Sequence, residues 1–250
     1  MLIAVIAFVV ATPRLAAPEL KTLKVDGVER EALISAPTSK EPAPLVFAFH
    51  GYGGNMRRAA DIFKLHEHWP EAVVVYMQGL PSLNPRDPSN QRPGWDVMNP
   101  PAGNRDVKFV DALLADLKKS HKIDEKQVFA MGHSNGGRFS YLLWAERGDT
   151  FRAFSMCGSN SVGFDRMLKP KSAFLIAGQN DSTVPFANQQ KTASLLKDLL
   201  KVDAALDSSP DGYKVYKGSG GAQLATYFHS GGHEYPADAG KMVVGFFRSL

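Results

Sequence analysis

The chain predicts an α/β fold, with a mostly parallel central sheet covered by helices on both faces. Three observations carry that expectation. Short apolar runs recur along the chain, as strands buried on both faces require. Amphipathic segments with helical spacing separate them. The 250 residues are 44% hydrophobic and 22% charged, an ordinary globular composition with ample apolar material for a large core.

In chain order, Arg30 to Ala36 reads as an early strand. Leu45 to Phe49 is fully apolar and ends at His50-Gly51, and Ala72 to Met77 is a second run rich in valine. Asp106 to Ser120 is an amphipathic helix, because Phe109, Val110, Leu113, Leu114 and Leu117 recur at three- and four-residue intervals. Gln127 to Met131 is a buried strand and Gly137 to Glu146 a helix. Phe151 to Cys157 and Ala173 to Ala177 are strands, Ala187 to Lys201 a helix, Leu224 to Phe228 a late strand and Ala239 to Leu250 a closing helix. The segment from Gly79 to Arg105 is long, rich in Pro, Asn and Arg, and contains Trp95; structureless loops of this length are usually functional. Gly158 to Ser172, between two strands, is too short for a large cap, so an open site is expected.

The net charge of +4 is mildly basic. Lys118, Lys119, Lys122 and Lys126 read as a solvated face, no aromatic residues interleave them, and no nucleic-acid partner is expected. Cys157 is the single cysteine, so no intramolecular disulfide can form, and its apolar neighbours suggest a buried structural thiol. No Cys/His cluster has metal-ligand spacing, so neither a metal nor another cofactor is expected. Leu2 to Ala11 is an unbroken apolar run, too short to span a bilayer. It fits the core of a secretory signal cleaved after Ala11 or Ala17, which predicts residues 1–17 as a signal segment, 18–250 as one catalytic domain, and a secreted or periplasmic location. No Lys or Arg precedes the run, so the alternative is a truncated start or a buried strand, and with it a cytoplasmic chain.

Gly132-His133-Ser134-Asn135-Gly136 fits Gly-x-Ser-x-Gly between a strand and a helix. That context makes it a nucleophile elbow: a sharp turn lifts the serine hydroxyl off the sheet edge. The backbone N–H after the serine then lies at a helix N-terminus, where developing negative charge is favoured. The fold expectation narrows to the α/β-hydrolase fold without a large cap domain. In that fold the triad runs Ser, Asp/Glu, His along the chain. Asp181 lies just past a strand in Gly178-Gln179-Asn180-Asp181, ahead of Val184-Pro185, where sites gather in open α/β sheets. As a bland alternative it is a helix cap. Asp165 and Asp203 follow no comparable strand. His233, in Gly231-Gly232-His233, sits in a Gly-rich loop after the last strand; His229 is its rival. His50-Gly51-Tyr52-Gly53-Gly54 follows an apolar strand and suits an oxyanion loop, with the backbone N–H groups of Tyr52 and Asn135 as donors and His50 organising the loop.

These stretches resemble the polyhydroxybutyrate-depolymerase-like and feruloyl-esterase-like α/β-hydrolases. The resemblance covers about Lys24 to Leu250 and extends to Tyr76-Met77-Gln78-Gly79-Leu80-Pro81 and Gly94-Trp95-Asp96. It implies a serine esterase with Ser134, Asp181 and His233 as its triad, acting without a cofactor on a small or oligomeric ester and without stable membrane association. Feruloyl-type aryl esters, short-chain esters and hydroxyalkanoate oligomers all fit. It also implies that Trp95 lines the acyl pocket, the alternative being an aromatic that packs its loop down. Tyr235 stands where the group often has tryptophan, cysteine pairs are lacking, and the length leaves no separate polymer-binding domain. A serine peptidase or amidase on the same scaffold, and a non-catalytic binding protein, are the rival functions.

Overall fold

The computed structural model describes residues 17–38, 40–85, 87–98, 103–202, 207–208 and 212–250. The apolar run at Leu2–Ala11 and Asp203 lie outside the described residues. The strands are β1 (Glu19–Val25), β2 (Val28–Ser35), β3 (Ala43–Phe49), β4 (Val73–Met77), β5 (Leu80–Pro81), β6 (Pro93–Gly94), β7 (Ile123–His133), β8 (Ala153–Cys157), β9 (Ser172–Gly178), β10 (Asp207–Ser208), β11 (Tyr213–Lys217) and β12 (Gln223–His229). The helices are α1 (Met56–Phe63), α2 (Leu65–His68), α3 (Arg105–Ser120), α4 (Asn135–Arg147), α5 (Phe186–Leu200) and α6 (Ala239–Arg248).

One ten-stranded sheet runs in the order β1-β2-β4-β3-β7-β8-β9-β12-β11-β10. Its centre, from β4 to β12, is parallel throughout. The flanks are antiparallel: β1 and β2 on one side, β11 and β10 on the other.

Strand alternation divides the core. Leu45, Phe47 and Phe49 of β3 and Val73, Val75 and Met77 of β4 face one layer, with Phe109, Leu113, Phe139, Trp144 and Leu196 from α3, α4 and α5. Val46, Ala48, Val74 and Tyr76 face the other, with Ala59, Phe63, Val243 and Phe247 from α1 and α6. Both faces are therefore buried, which is why β3 and β4 read as continuous apolar runs rather than alternating ones.

The expected fold class is borne out, and the expected elements stand within a few residues of their predicted ends. The strand ahead of Ser134 starts at Ile123 rather than Gln127, pairing Ala43 with Ile123 before a register shift in β3. The sequence reading missed β1, because an edge strand exposes Glu19, Leu20, Thr22 and Lys24 and so carries no continuous apolar signal. It also missed α1, which is capped by the Asn55 side chain accepting from Arg58 N–H at 2.9 Å. Between Gly158 and Ser172 the chain makes only turns, so this connection raises no cap domain over the carboxyl ends of β7 and β8.

Candidate active site

Three structural decisions bring the site together at the carboxyl ends of the parallel strands. The first is the turn from β7 into α4. Ser134 adopts φ 56° and ψ −119°, a strained conformation for a residue with a side chain. Its N–H donates to the Cys157 carbonyl at 2.8 Å, which locks the turn to the end of β8. Ser134 is the N-cap of α4 but makes no side-chain cap bond, so its hydroxyl is left for another partner. The turn requires close backbone approach. A Cβ at Gly136 would lie 2.2 Å from the Phe49 carbonyl oxygen, and one at Gly132 would lie 2.3 Å from the Gly136 backbone.

The second is the pair of loops after β9 and β12. Asn180 N–H donates to Gly231 O at 2.9 Å, and Asn180 Nδ2 to Ser230 O at 2.6 Å, so the two loops are laced side by side. A Cβ at Gly178 would lie 1.9 Å from the Gly232 oxygen, so only glycine lets them cross. This crossing sets Asp181 and His233 together. His233 Nδ1 is 2.8 Å from Asp181 Oδ2, and His233 Nε2 is 2.8 Å from Ser134 Oγ. A carboxylate only accepts, so Nδ1 carries the proton and Nε2 presents its lone pair to the serine hydroxyl.

Asp181 is buried, and its carboxylate is well satisfied. Oδ1 accepts from Thr183 N–H at 2.9 Å and Val184 N–H at 2.8 Å, and Oδ2 also accepts from Gln189 Nε2 at 3.0 Å. Burial alone raises its pKa, but the bonds from His233, Val184 and Thr183 outweigh it and hold the carboxyl below its ordinary value. Gln189, on α5, is a supporting residue that the sequence reading missed.

The third is the loop after β3, where the sequence places one oxyanion donor, the N–H of Tyr52. Tyr52 and Asn135 line the same open cleft as Ser134 and His233. Within the loop after β3, Gly53 N–H donates to Pro93 O at 2.7 Å and Gly54 N–H to Gly51 O at 3.0 Å. Those two donors are thus committed. His50 organises the loop, as expected. Its Nε2 accepts from Gly79 N–H at 3.0 Å, so Nδ1 carries the proton and donates to Gly51 O at 2.8 Å. Burial pushes its pKa below the ordinary histidine value, which keeps it neutral.

Trp95 corrects an expectation. It does not line the cleft: it is 0% exposed, stacked on Phe139 at 5.2 Å and edge-on to Phe49 at 5.1 Å. The apolar ring is worth more in the core than at a wet rim, and its indole N–H finds the His50 carbonyl at 2.8 Å. The apolar surface facing the cleft instead comes from Tyr52, Ile62, Leu83, Met98, Val184 and Tyr235. The cleft encloses about 1020 Å³.

His133, the variable residue ahead of Ser134, was also missed as a supporting group. Its Nε2 donates to the His233 carbonyl at 2.6 Å, and its ring lies 5.0 Å from that of His233. Burial, reinforced by the neighbouring imidazole, pushes its pKa down to about 4. The rival base His229 is directed away, its Nδ1 accepting from Gly231 N–H at 3.1 Å. Cys157 is buried and its thiol pKa raised, which leaves it unreactive. Asp165 accepts from the Ser161 hydroxyl instead of approaching His233.

Among the described residues no group of three or more His, Cys, Asp or Glu is placed to hold a metal ion, and no helix is long and apolar enough to cross a membrane. In the lysine cluster, Lys118 pairs with Glu125 at 2.7 Å.

No family model matches the chain. Among curated sequences it is similar to a bifunctional acetylxylan esterase/xylanase of Neocallimastix patriciarum, 27% identical over 180 residues, which is 69% of this chain and 24% of that protein. It is 29% identical over 162 residues to a probable feruloyl esterase C of Aspergillus oryzae, covering 63% of this chain and 57% of the relative. The chain thus spans less than two thirds of the length of these relatives. Among solved structures it resembles an acetyl xylan esterase from Aspergillus awamori, with a TM-score of 0.64, 15% identity, and coverage of 91% of this chain and 99% of that one. A CE1 ferulic acid esterase from Anaeromyces mucronatus superposes with a TM-score of 0.62 at 14% identity, over 96% and 93% of the two chains. The fold is that of the α/β-hydrolases, and the resemblance to the feruloyl-esterase-like group is borne out by these relatives.

Proposed function

We propose that the chain is a serine carboxylic-ester hydrolase working through Ser134, His233 and Asp181. The observation that carries this reading is the unbroken hydrogen-bond chain from Asp181 through His233 to Ser134, with both links at 2.8 Å. His233 Nε2 takes the hydroxyl proton as Ser134 Oγ attacks the ester carbonyl carbon. Asp181 keeps the imidazole in the required tautomer and stabilises the imidazolium that forms. The oxyanion is held by the backbone N–H groups of Tyr52 and Asn135; loss of one such donor typically costs about 100- to 1000-fold in kcat. His233 then returns its proton to the departing alcohol and activates the water that hydrolyses the acyl-enzyme. Every proton in this sequence is carried by groups of the chain, its substrate or water, so no cofactor is called for.

The relatives named as feruloyl and acetylxylan esterases support an ester of plant cell-wall type as substrate. The apolar cleft wall of Tyr52, Leu83 and Met98 suits an aromatic or short aliphatic acyl group, and short-chain esters and hydroxyalkanoate oligomers also fit the open cleft. The reading takes residues 18–250 as one catalytic unit. The apolar run at Leu2–Ala11 supports export, which the mass of the protein recovered from the culture medium would test.

The decisive experiment compares initial rates on methyl ferulate and p-nitrophenyl butyrate for the wild type and Ser134→Ala. Turnover of at least one ester should fall by at least about 10⁴-fold in the variant, with cooperative unfolding unchanged. A variant as active as the wild type would refute the assignment. Preference for methyl ferulate would select the cell-wall aryl esters, and turnover of the butyrate alone would remove them.

A further inference from the structure

The Asn135 side chain makes a two-point bond to the backbone of a residue forty positions earlier. Its Oδ1 accepts from Trp95 N–H at 2.7 Å, and its Nδ2 donates to Trp95 O at 3.1 Å. The side chain of the residue behind the nucleophile is therefore engaged with Trp95. The same Trp95 donates its indole N–H to the His50 carbonyl, two residues before Tyr52. One buried residue thus reaches both chain segments that carry the assigned oxyanion donors.

The clamp has a fixed base. Asp96 N–H donates to Asp106 Oδ2 at 2.8 Å, and Asn104 Nδ2 to Asp96 O at 2.8 Å. Asp106 is fully buried and its Oδ1 takes a 2.7 Å bond from the buried Arg30. The indole itself cannot shift, being packed between Phe49 and Phe139. Gly94 brings this segment against the site: a Cβ there would lie 2.7 Å from the Tyr52 ring and 3.0 Å from Asn135 Oδ1.

We infer that Trp95 and the Asn135 side chain are positioning groups that set the distance and aim of the two oxyanion donors, a role that rests on the esterase reading. The physical need is specific. Donors stabilise the transition state only when they already lie about 2.7–3.1 Å from where the oxyanion will form. The N–H of Asn135 sits on the strained turn of Ser134 and that of Tyr52 on the loop after β3, both beyond Phe49 and Gly132, the last residues at which β3 and β7 pair. Trp95 joins them through neutral hydrogen bonds made before substrate arrives, which is what preorganisation requires. The clamp acts in the transition state and leaves ground-state binding to the cleft wall.

The test uses the full chain, a neutral aryl ester, and an alkyl boronic acid that forms a tetrahedral adduct with the serine. Asn135→Ala deletes the two-point bond; Trp95→Phe leaves an aromatic ring in the core but deletes the bond to His50 together with part of the indole. In Asn135→Ala, kcat should fall by about 30- to 100-fold, since a displacement near 1 Å can cost about 100-fold. KM should stay within about threefold, and boronate affinity should fall in parallel with kcat. Trp95→Phe should show the same pattern at about 3- to 10-fold, and it decides the matter if Asn135→Ala does not fold. Folded variants with wild-type kcat would overturn the inference. So would a rise in KM with kcat and boronate affinity intact, because that marks a substrate contact. A wild-type chain inert toward every ester would remove the esterase reading first, and the clamp with it.

Discussion

The two flanks of Ser134 are built from different chemistry. On one side, Asp181 and His233 form a charged, titratable pair, and the carboxylate takes four bonds from His233, Gln189 and the N–H groups of Thr183 and Val184. On the other side, Trp95, Asn135, His50 and Gly79 are joined by neutral bonds alone. The difference fits what the proposed mechanism asks of each flank. The acid–base flank must change protonation during turnover, so it needs a charge held in place. The oxyanion flank must not respond to anything until charge develops on the substrate, so fixed neutral dipoles suffice. Removing the Asp181 charge should therefore damage the first flank most, whereas deleting an amide should damage the second.

The strongest break of this contrast is Asp181→Asn. The substitution keeps the shape but allows the wrong imidazole tautomer, and kcat should fall by about 10⁴-fold at neutral pH. A loss below tenfold in steady-state kinetics would mean that His233 is oriented by something else.

Next in size is the response of stability to acid. His133 is held neutral in the folded chain with a pKa of about 4, below its ordinary value of 6.5. Above pH 6.5 both states are neutral and the group contributes no pH dependence. Between 6.5 and 4 the unfolded chain binds a proton that the folded chain refuses, so stability falls as pH falls, by an amount on the order of 3 kcal/mol. Buried His50 acts in the same direction. Asp181, whose pKa is lowered on folding, adds a further loss at still lower pH, as its carboxylate is protonated. Urea midpoints measured from pH 7.5 to 4 should decline, and His133→Gln should flatten the decline; an equal slope in the two proteins would show that His133 is not the sensor.

The smallest effect separates support from chemistry. Gln189→Leu removes a donor from Asp181 and one from the Val184 carbonyl. It should cost about 1–3 kcal/mol of stability, with kcat down about tenfold and the oxyanion flank intact. Boronate affinity that collapsed as far as in Asn135→Ala would show that the flanks are coupled rather than separate.

The two flanks also differ in how legible they were. Ser134, Asp181 and His233 could be located from sequence because each sits at a strand end that apolar patterning reveals, and because chain order constrains the choice. The Gly132-x-Ser134-x-Gly136 spacing even carries its own reason, since α4 approaches both β7 and the end of β3 too closely for side chains there. Trp95 could not be placed. Its motif lies in a long segment without periodicity, and a tryptophan near a site can line a pocket or fill a core with equal chemical sense. Gln189 and His133 were missed for a related reason: a polar residue on a helix or beside Ser134 has no local signature until its partner is known.

By itself, then, the sequence determined the layered α/β architecture and the strand ends beyond which Ser134, Asp181 and His233 sit, because burial on both sheet faces and tight turns leave periodic, local marks. Only the tertiary structure decided that Trp95 lies beneath the site rather than in it, that His133 holds the His233 backbone, and that Asn135 spends its side chain on Trp95. Those outcomes depend on contacts across 40 to 100 positions, and a hydrogen bond of that span is set by how layers pack, for which no local pattern in the chain exists.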